Sequence, residues 1–379
     1  DAVVSGEILN TDLSQNFNTQ FVYNNGGIGY HKNGDKSSFS AVLNLQSAQL
    51  DGEDTFDNFS VSRNFLNLLP RINWRYELGT AHNIFLRYST NINEPSLTQL
   101  QPTVDNSNPL NIYQGNPDLR PEYRHRINAR YFKFDQFSFT NFFAFINATY
   151  TTNKIINAVN FENGIQSSQP VNVDSDLSLS TNLNFSTPLK FIGAKMELRT
   201  RFAYTNRDQF INRTQNKLNR YTNAFTARFG NRKKEKIDFE IGGTWSYNNN
   251  RYSINSENNI QYLNQSYFTE LIANLGERFA FETSFNYDIF SAQSFGESLD
   301  IPIWKAEISH FFLNGKKGEI KLAVFDILDQ NKGLNRVNNL NYVEQERIVS
   351  LGRFFMLSFT YSIKGFGNKK EGRSFRFRR

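Results

Sequence analysis

The sequence predicts an all-β protein, a transmembrane antiparallel β-barrel, on three observations: runs of two-residue alternation longer than a soluble strand needs, charge confined to one side of that alternation, and connections that are alternately short and long. From Leu66 to Leu78 the even positions are Leu66, Leu68, Pro70, Ile72, Trp74, Tyr76 and Leu78, while most odd ones are polar: Asn67, Arg71, Asn73, Arg75 and Glu77. A strand in a soluble protein averages about 5–6 residues, whereas one tilted across a bilayer needs about 9–11. A dyad of this length fits a strand with one face to lipid.

The dyad recurs along the chain. Leu177, Leu179, Thr181, Leu183 and Phe185 alternate with serine and asparagine, and Met196, Leu198, Thr200, Phe202 and Tyr204 alternate with Glu197, Arg199, Arg201, Ala203 and Thr205. Ile237, Phe239, Ile241, Gly243, Trp245 and Tyr247 form one face against Asp238, Glu240, Gly242, Thr244, Ser246 and Asn248. Phe279, Phe281, Thr283, Phe285, Tyr287 and Ile289 do the same, as do Phe355, Leu357, Phe359, Tyr361 and Ile363 near the end. Charges within these strands fall on the non-apolar face, where they avoid a cost of several kcal/mol in hydrocarbon. That face meets water.

The connections alternate as well. Short ones are expected near 33–35, 79–81, 135–136, 189–193, 231–235, 276–277 and 314–318, and longer Asn/Ser/Pro-rich ones near 51–58, 93–121, 157–170, 208–212, 248–261, 291–301 and 329–342. Short periplasmic turns opposite long extracellular loops are the habit of outer-membrane barrels. The count is about 15 strands from Gln15 to Ile363, with Ala2–Leu9 as a possible sixteenth. Gly26-Gly27-Ile28-Gly29 falls inside a strand and is expected to mark a bulge or bend.

Composition sets the outer limits. The chain has 379 residues, 39% hydrophobic and 15% aromatic, with a mean hydropathy of -0.56, as expected when half of each strand faces water. No run of 18 apolar residues exists, so a helical membrane protein is excluded. Cysteine is absent, which removes thiolate chemistry and zinc-thiolate sites. The net charge of +6 sits in residues 364–379, a basic extension beyond the barrel wall at 1–363, so no nucleic-acid partner is expected.

The segment after the strand Asn83–Asn91 reads Asn93-Glu94-Pro95-Ser96-Leu97 and then Asn108-Pro109, Gly115-Asn116-Pro117-Asp118-Leu119-Arg120-Pro121-Glu122. With Phe65-Leu66-Asn67-Leu68-Leu69-Pro70-Arg71 before it, and Phe325-Asp326-Ile327-Leu328-Asp329 and Arg353-Phe354-Phe355 after, it resembles the Bacteroidetes-type outer-membrane β-barrel family, whose members look like the barrel portion of TonB-dependent receptors. The resemblance covers roughly 60–363 and implies a barrel of about 22 strands, an internal plug and energy supplied by TonB. This sequence holds fewer strands and neither a plug-like segment nor a TonB box. It therefore fits either the C-terminal part of such a receptor or a smaller complete barrel.

Two groups of residues are candidates for function. Arg71, Arg75, Arg87, Arg126 and Arg130 fall on the polar face of consecutive strands and are expected to cluster on one lumen wall, either as a ladder pairing with Glu77 or a plug, or as a track for an anionic or carbohydrate substrate. Asn108, Pro109, Gly115, Asn116, Pro117 and Pro121 mark a long extracellular loop whose prolines hold it extended and out of the sheet, and whose Gly115 permits a tight turn. The fold of this loop inward over the barrel competes with direct ligand contact as its role. Tyr30, Trp74, Tyr88, Tyr131, Trp245, Tyr287, Trp304 and Tyr361 fit interfacial girdles or lumen stacking surfaces.

His31, His82, His125 and His310 have no ligand spacing, so no catalytic residue, metal or cofactor is expected. The expected function is nutrient import through a plug-gated lumen. The alternatives are a non-transporting subunit of an outer-membrane complex and a passive porin. Expected partners are outer-membrane lipid and lipopolysaccharide, with a plug segment or completing chain, a surface lipoprotein and TonB.

Overall fold

The structure, a computed structural model, describes residues 17–54, 59–233, 236–254, 256, 259–291, 298–331, 333–338, 343–347 and 351–363. The chain runs β1 (Phe17–Asn33), β2 (Ser37–Asp54), β3 (Phe59–Gly79) and β4 (His82–Asn93), then a long connection holding α1 (Leu97–Leu100), β5 (Val104–Asp105) and β6 (Asn111–Gln114). There follow β7 (Glu122–Asp135), β8 (Thr140–Glu162), β9 (Ile165–Leu189), β10 (Ala194–Ile211), β11 (Thr214–Asn231), β12 (Ile237–Tyr252) and β13 (Ile260–Leu275). The last stretch is β14 (Phe279–Phe290), β15 (Leu299–Phe312), β16 (Gly318–Phe325), β17 (Leu334–Asn338), β18 (Val343–Arg347) and β19 (Phe354–Tyr361).

Each wall strand pairs antiparallel with the next wall strand, from β1·β2 to β16·β19. The sheet has 17 strands; setting aside the two short loop strands β5 and β6 leaves fifteen in the wall. Among the described residues no pairing joins β1 to β19, so the sheet is open. The possible strand at Ala2–Leu9 and the extension 364–379 lie outside the described residues.

The dyads become the two faces of this wall. Leu66 is 71% exposed, Leu357 74% and Ile28 78%, each on the apolar face of its strand, and Phe225, Ile241 and Ile320 are exposed there too. An apolar surface of this extent is incompatible with water and suits hydrocarbon.

Aromatic side chains band the same face near the short turns. His82 and Tyr131 share a hydrogen bond of 2.9 Å, Trp74 Nε1 donates to Ser37 Oγ at 3.3 Å, and His310 stacks on Phe279 at 4.5 Å. A second group lies higher, where Tyr88 shares a 2.9 Å hydrogen bond with His125, itself packed beside Tyr123 and Tyr150. Three of the four histidines thus serve as interfacial rings.

The short turns fall where expected, but two of the long connections do not. Residues 157–170 are strand, with β8 (23 residues) and β9 (25 residues) joined by Asn163-Gly164 alone. Both turn residues have positive φ, 51° and 81°, the conformation an Asn-Gly hairpin supplies. The expected loop at 208–212 shrinks in the same way to Asn212-Arg213, at φ 50° and 62°. The long connection expected at 329–342 is present between β16 and β19, and its described part holds β17, which pairs with β18 in a small sheet of its own.

Of the bulge or bend expected at Gly26–Gly29, the bulge is absent, because β1 and β2 stay in unbroken register from Phe17↔Asp54 to Asn33↔Ser38. Gly27 is needed instead for close approach: a Cβ there would collide with Asn44 Oδ1 and the Leu43 carbonyl. The late motif has a local reason too. Asp326, 3% exposed, accepts from the backbone of Gln330 (3.1 Å) and Asn331 (2.8 Å), while Asp329 accepts from Arg353 N at 2.9 Å.

Candidate functional site

The polar face is the concave one, because residues 94–121 bridge distant strands across it. Leu100 and Leu119 are fully buried, together with Leu50 of β2 and Ile155 of β8, and Phe21 of β1 and Phe65 of β3 pack against the cluster. All four wall residues lie on the polar side of their strands by register. Burying each leucine stabilises this arrangement by about 1.5–3 kcal/mol, so the segment is held over the lumen.

Polar contacts fix the same segment. A capping box between Ser96 and Gln99 starts α1. Arg63 of β3 pairs with the Asp118 carboxylate at 2.7 Å and donates to its carbonyl at 3.2 Å. Asn116 Nδ2 donates to the Pro170 carbonyl at 3.0 Å, and Asn172 accepts from Arg120 N at 2.8 Å while donating to the Arg120 carbonyl at 2.9 Å.

The six motif residues divide between two environments. Asn108 and Pro109 form an exposed turn, in which Asn108 Oδ1 accepts from Leu110 N at 3.1 Å. Gly115, Asn116, Pro117 and Pro121 are tucked beneath it, with Gly115 and Pro121 buried. Gly115 is required by space rather than by turn geometry, since a Cβ would collide with the carbonyls of Gln101 and Thr98. The prolines also fail to keep the loop wholly out of the sheet. Between Pro109 and Pro117, β6 pairs in parallel with β9, Asn111 opposite Gln166 and Tyr113 opposite Ser168.

At the foot of the loop Glu122 is 5% exposed. Its carboxylate accepts from Lys154 Nζ at 2.5 Å, Ile155 N at 3.0 Å, Asn93 Nδ2 at 3.1 Å and Arg124 Nη2 at 3.2 Å. It stands on the extracellular side of the ring formed by Tyr88, His125 and Tyr150, outside the lipid-crossing stretch. Burial alone would push its carboxyl up. Lys154, the Ile155 N–H and Asn93 outweigh that and hold it below the ordinary carboxylate range.

The five arginines of the track share the polar face of three adjacent strands. Arg71 and Arg126 both stand opposite Ser89, and Arg75 and Arg130 both stand opposite Phe85. Arg87 lies between them, opposite Asn73 and Asn128. All five are exposed, and among the described residues none forms an ion pair; Arg130 lies over the Phe85 ring at 5.8 Å. Glu77, the expected ladder partner, bridges to none of them.

Sequence reasoning misses two neighbouring features. Phe85, Phe132, Phe143 and Phe145 also point to the polar face, as Asn83↔Phe132↔Phe143 and Phe85↔Arg130↔Phe145 show. Farther along the same face of the sheet, β12–β16 carry an acidic wall around a cavity of about 630 Å³. Glu240 stands opposite Glu270 and Glu282 opposite Glu307. Arg228 pairs with Glu240 at 3.3 Å, and Lys321 reaches Glu307 at 2.8 Å and Glu319 at 3.9 Å. Their alternation was the available signal, but Thr269-Glu270-Leu271-Ile272 blurs it. Among the described residues no cluster of three or more His, Cys, Asp or Glu is placed to hold a metal ion.

The model of a family described as an outer membrane protein beta-barrel family matches residues 4–245, more than half of the chain and all of the wall from β1 into β12. No curated protein matches the sequence.

Proposed function

The chain belongs to the outer membrane protein beta-barrel family and so lies in the outer membrane of a Gram-negative bacterium, and from this premise we propose that it is a transport barrel resembling a TonB-dependent receptor of the Bacteroidetes type. In this reading it performs no catalysis. It admits a nutrient from the extracellular side, and a plug segment within the lumen, coupled to TonB, gates the passage. Its surroundings are lipid and lipopolysaccharide, and a surface lipoprotein is a natural partner above the long hairpins.

The observation that carries the reading is the inward fold of residues 94–121 onto Phe21, Leu50, Phe65 and Ile155. A general diffusion pore needs an open mouth, whereas a selective importer benefits from a rigid, narrowed one. One feature favours a second reading, a structural subunit of an outer-membrane complex. The β8–β9 hairpin rises well beyond the roughly 9–11 residues that lipid requires and carries exposed Phe161 and Ile165.

Conductance of the purified barrel in planar bilayers separates these readings. The receptor reading, in which residues 94–121 narrow the mouth, predicts a wild type of low conductance that rises when Leu100 and Leu119 are both replaced by Asp. A steadily open wild type indicates a porin. Stable co-purification with other outer-membrane proteins, with both forms closed, indicates the structural subunit.

A further inference from the structure

We propose that the β3–β4–β7 wall binds a multiply charged anion, a ligand carrying at least two carboxylate, sulfate or phosphate groups held about 10–13 Å apart. The proposal rests on the reading of the polar face as an accessible lumen and adds the substrate class. Neighbouring strands lie about 4.8 Å apart and residues rise about 3.4 Å along each strand. Arg71, Arg75, Arg126 and Arg130 therefore mark the corners of a field about 10 Å by 13 Å, with Arg87 at its centre.

The contrast with other inward arginines on the same sheet identifies these five as a site. Arg199 Nε donates to Glu197 at 2.5 Å, Arg201 Nε to Asn182 at 3.2 Å, Arg207 Nε to Asp176 at 2.7 Å and Arg220 Nε to Asn250 at 3.1 Å. Each of these has an acceptor within the wall. Among the described residues the five have no such acceptor, and their cross-strand neighbours Ser89, Asn73 and Asn128 are neutral. Guanidiniums this close lie near one Debye length of each other at physiological salt, so their repulsion persists until an anion relieves it.

Guanidinium forks match carboxylate, sulfate and phosphate oxygens in pairs. The carboxamides of Asn73 and Asn128 add donors and acceptors for neutral polar groups of the same ligand. Phe85, under the Arg130 guanidinium at 5.8 Å, gives the field a flat apolar floor. The loop core above closes one end of this track and leaves its length along β3–β7 in the lumen.

The test is calorimetric binding to the full chain in detergent micelles, with a fully sulfated heparin hexasaccharide as probe and maltohexaose as its neutral counterpart. The sulfated probe is expected to bind, more weakly as salt rises, and maltohexaose is not. Replacing Arg71, Arg87 and Arg126 together by Gln should weaken binding at least 100-fold, on the basis of about tenfold or more per charged hydrogen bond. Arg199→Gln with Arg201→Gln, a loss of two cations that already have partners, should change it less than threefold.

Equal losses in the two variants would reduce the effect to net charge and overturn the proposal. So would tight binding by the triple variant, or no binding by wild type. Retention of heat-modifiable migration in SDS shows that each variant is folded. Binding in micelles by a barrel that shows no gated conductance sustains the anion site and removes the transport reading. A gated barrel that ignores the sulfated probe removes the anion site alone.

Discussion

The two charged walls of the lumen solve opposite problems. On β12–β16 the acids face one another directly, Glu240 against Glu270 and Glu282 against Glu307, and the wall supplies its own cations in Arg228 and Lys321. On β3, β4 and β7 the five arginines face neutral partners and, among the described residues, keep no counter-charge. The first wall meets part of its own charge within the fold, Glu240 through Arg228 and Glu307 and Glu319 through Lys321. The second has charge to spare for something that enters, and the difference shows that a like-signed patch becomes informative only when its partners are counted.

That contrast is broken most severely by removing a cation from the acidic wall. Lys321 lies 2.8 Å from Glu307 and 3.9 Å from Glu319, with its side chain 27% exposed. Lys321→Ala leaves these carboxylates beside Glu282, which stands opposite Glu307, without their cation. Orphaning a fully buried charge costs about 3–5 kcal/mol; water in the lumen reduces this to about 2 kcal/mol here. The midpoint of urea unfolding in micelles should fall accordingly. An unchanged midpoint would mean that the wall does not depend on internal neutralisation.

A smaller effect is expected where the basic wall does possess an acid. Arg124 shares strand and face with Arg126 and Arg130, yet it and Lys154 pair with buried Glu122. The Glu122 carboxyl is held below its ordinary range, so the folded state binds its proton more weakly than the unfolded chain does. Its contribution is therefore fully present above the ordinary glutamate range and is lost as pH falls through the lowered folded value. Glu122→Gln should cost about 1–2 kcal/mol at pH 7 and progressively less as pH falls below the ordinary glutamate range. Hydrogen exchange at residues 116–120 measures it: acceleration in the variant at pH 7 is expected, and equal protection in both proteins would deny Glu122 its role in holding the loop.

How much of this was legible in the sequence follows from which solvent each face meets. Strands such as Leu66–Leu78 and Ile237–Asn248 announce themselves because lipid on one side and water on the other impose a strict dyad. Where β8 and β9 rise out of the membrane, both faces are wet, the dyad fades into Asn160, Ser167, Ser168 and Gln169, and the hairpin resembles a loop. The Asn163-Gly164 step was the surviving signal.

The arginine track is visible as a period of two on consecutive strands, but its arrangement about Arg87 depends on register, which composition does not carry. Leu100 and Leu119 are single leucines in polar text. Only the tertiary fold shows that they pack into one buried cluster with Leu50 and Ile155 of the wall. Glu270 and Glu307 sit on strands where apolar residues appear on both faces, so their opposition to other glutamates emerges only from pairing.

The smallest expected effect sharpens the comparison most. Arg71→Gln and Arg126→Gln each remove a guanidinium that has no ion pair among the described residues, and both face neutral Ser89. No acid is orphaned by either change, and repulsion toward Arg87 declines. Stability should therefore move by no more than about 0.5 kcal/mol, with any shift toward greater stability, although the charge removed is the same as in Lys321→Ala. The same urea titration measures all three proteins. A loss near 2 kcal/mol in either arginine variant would show that the basic wall holds counter-charges within the fold as the acidic wall does, and the distinction between a wall that carries its own counter-charges and a wall awaiting a ligand would fail.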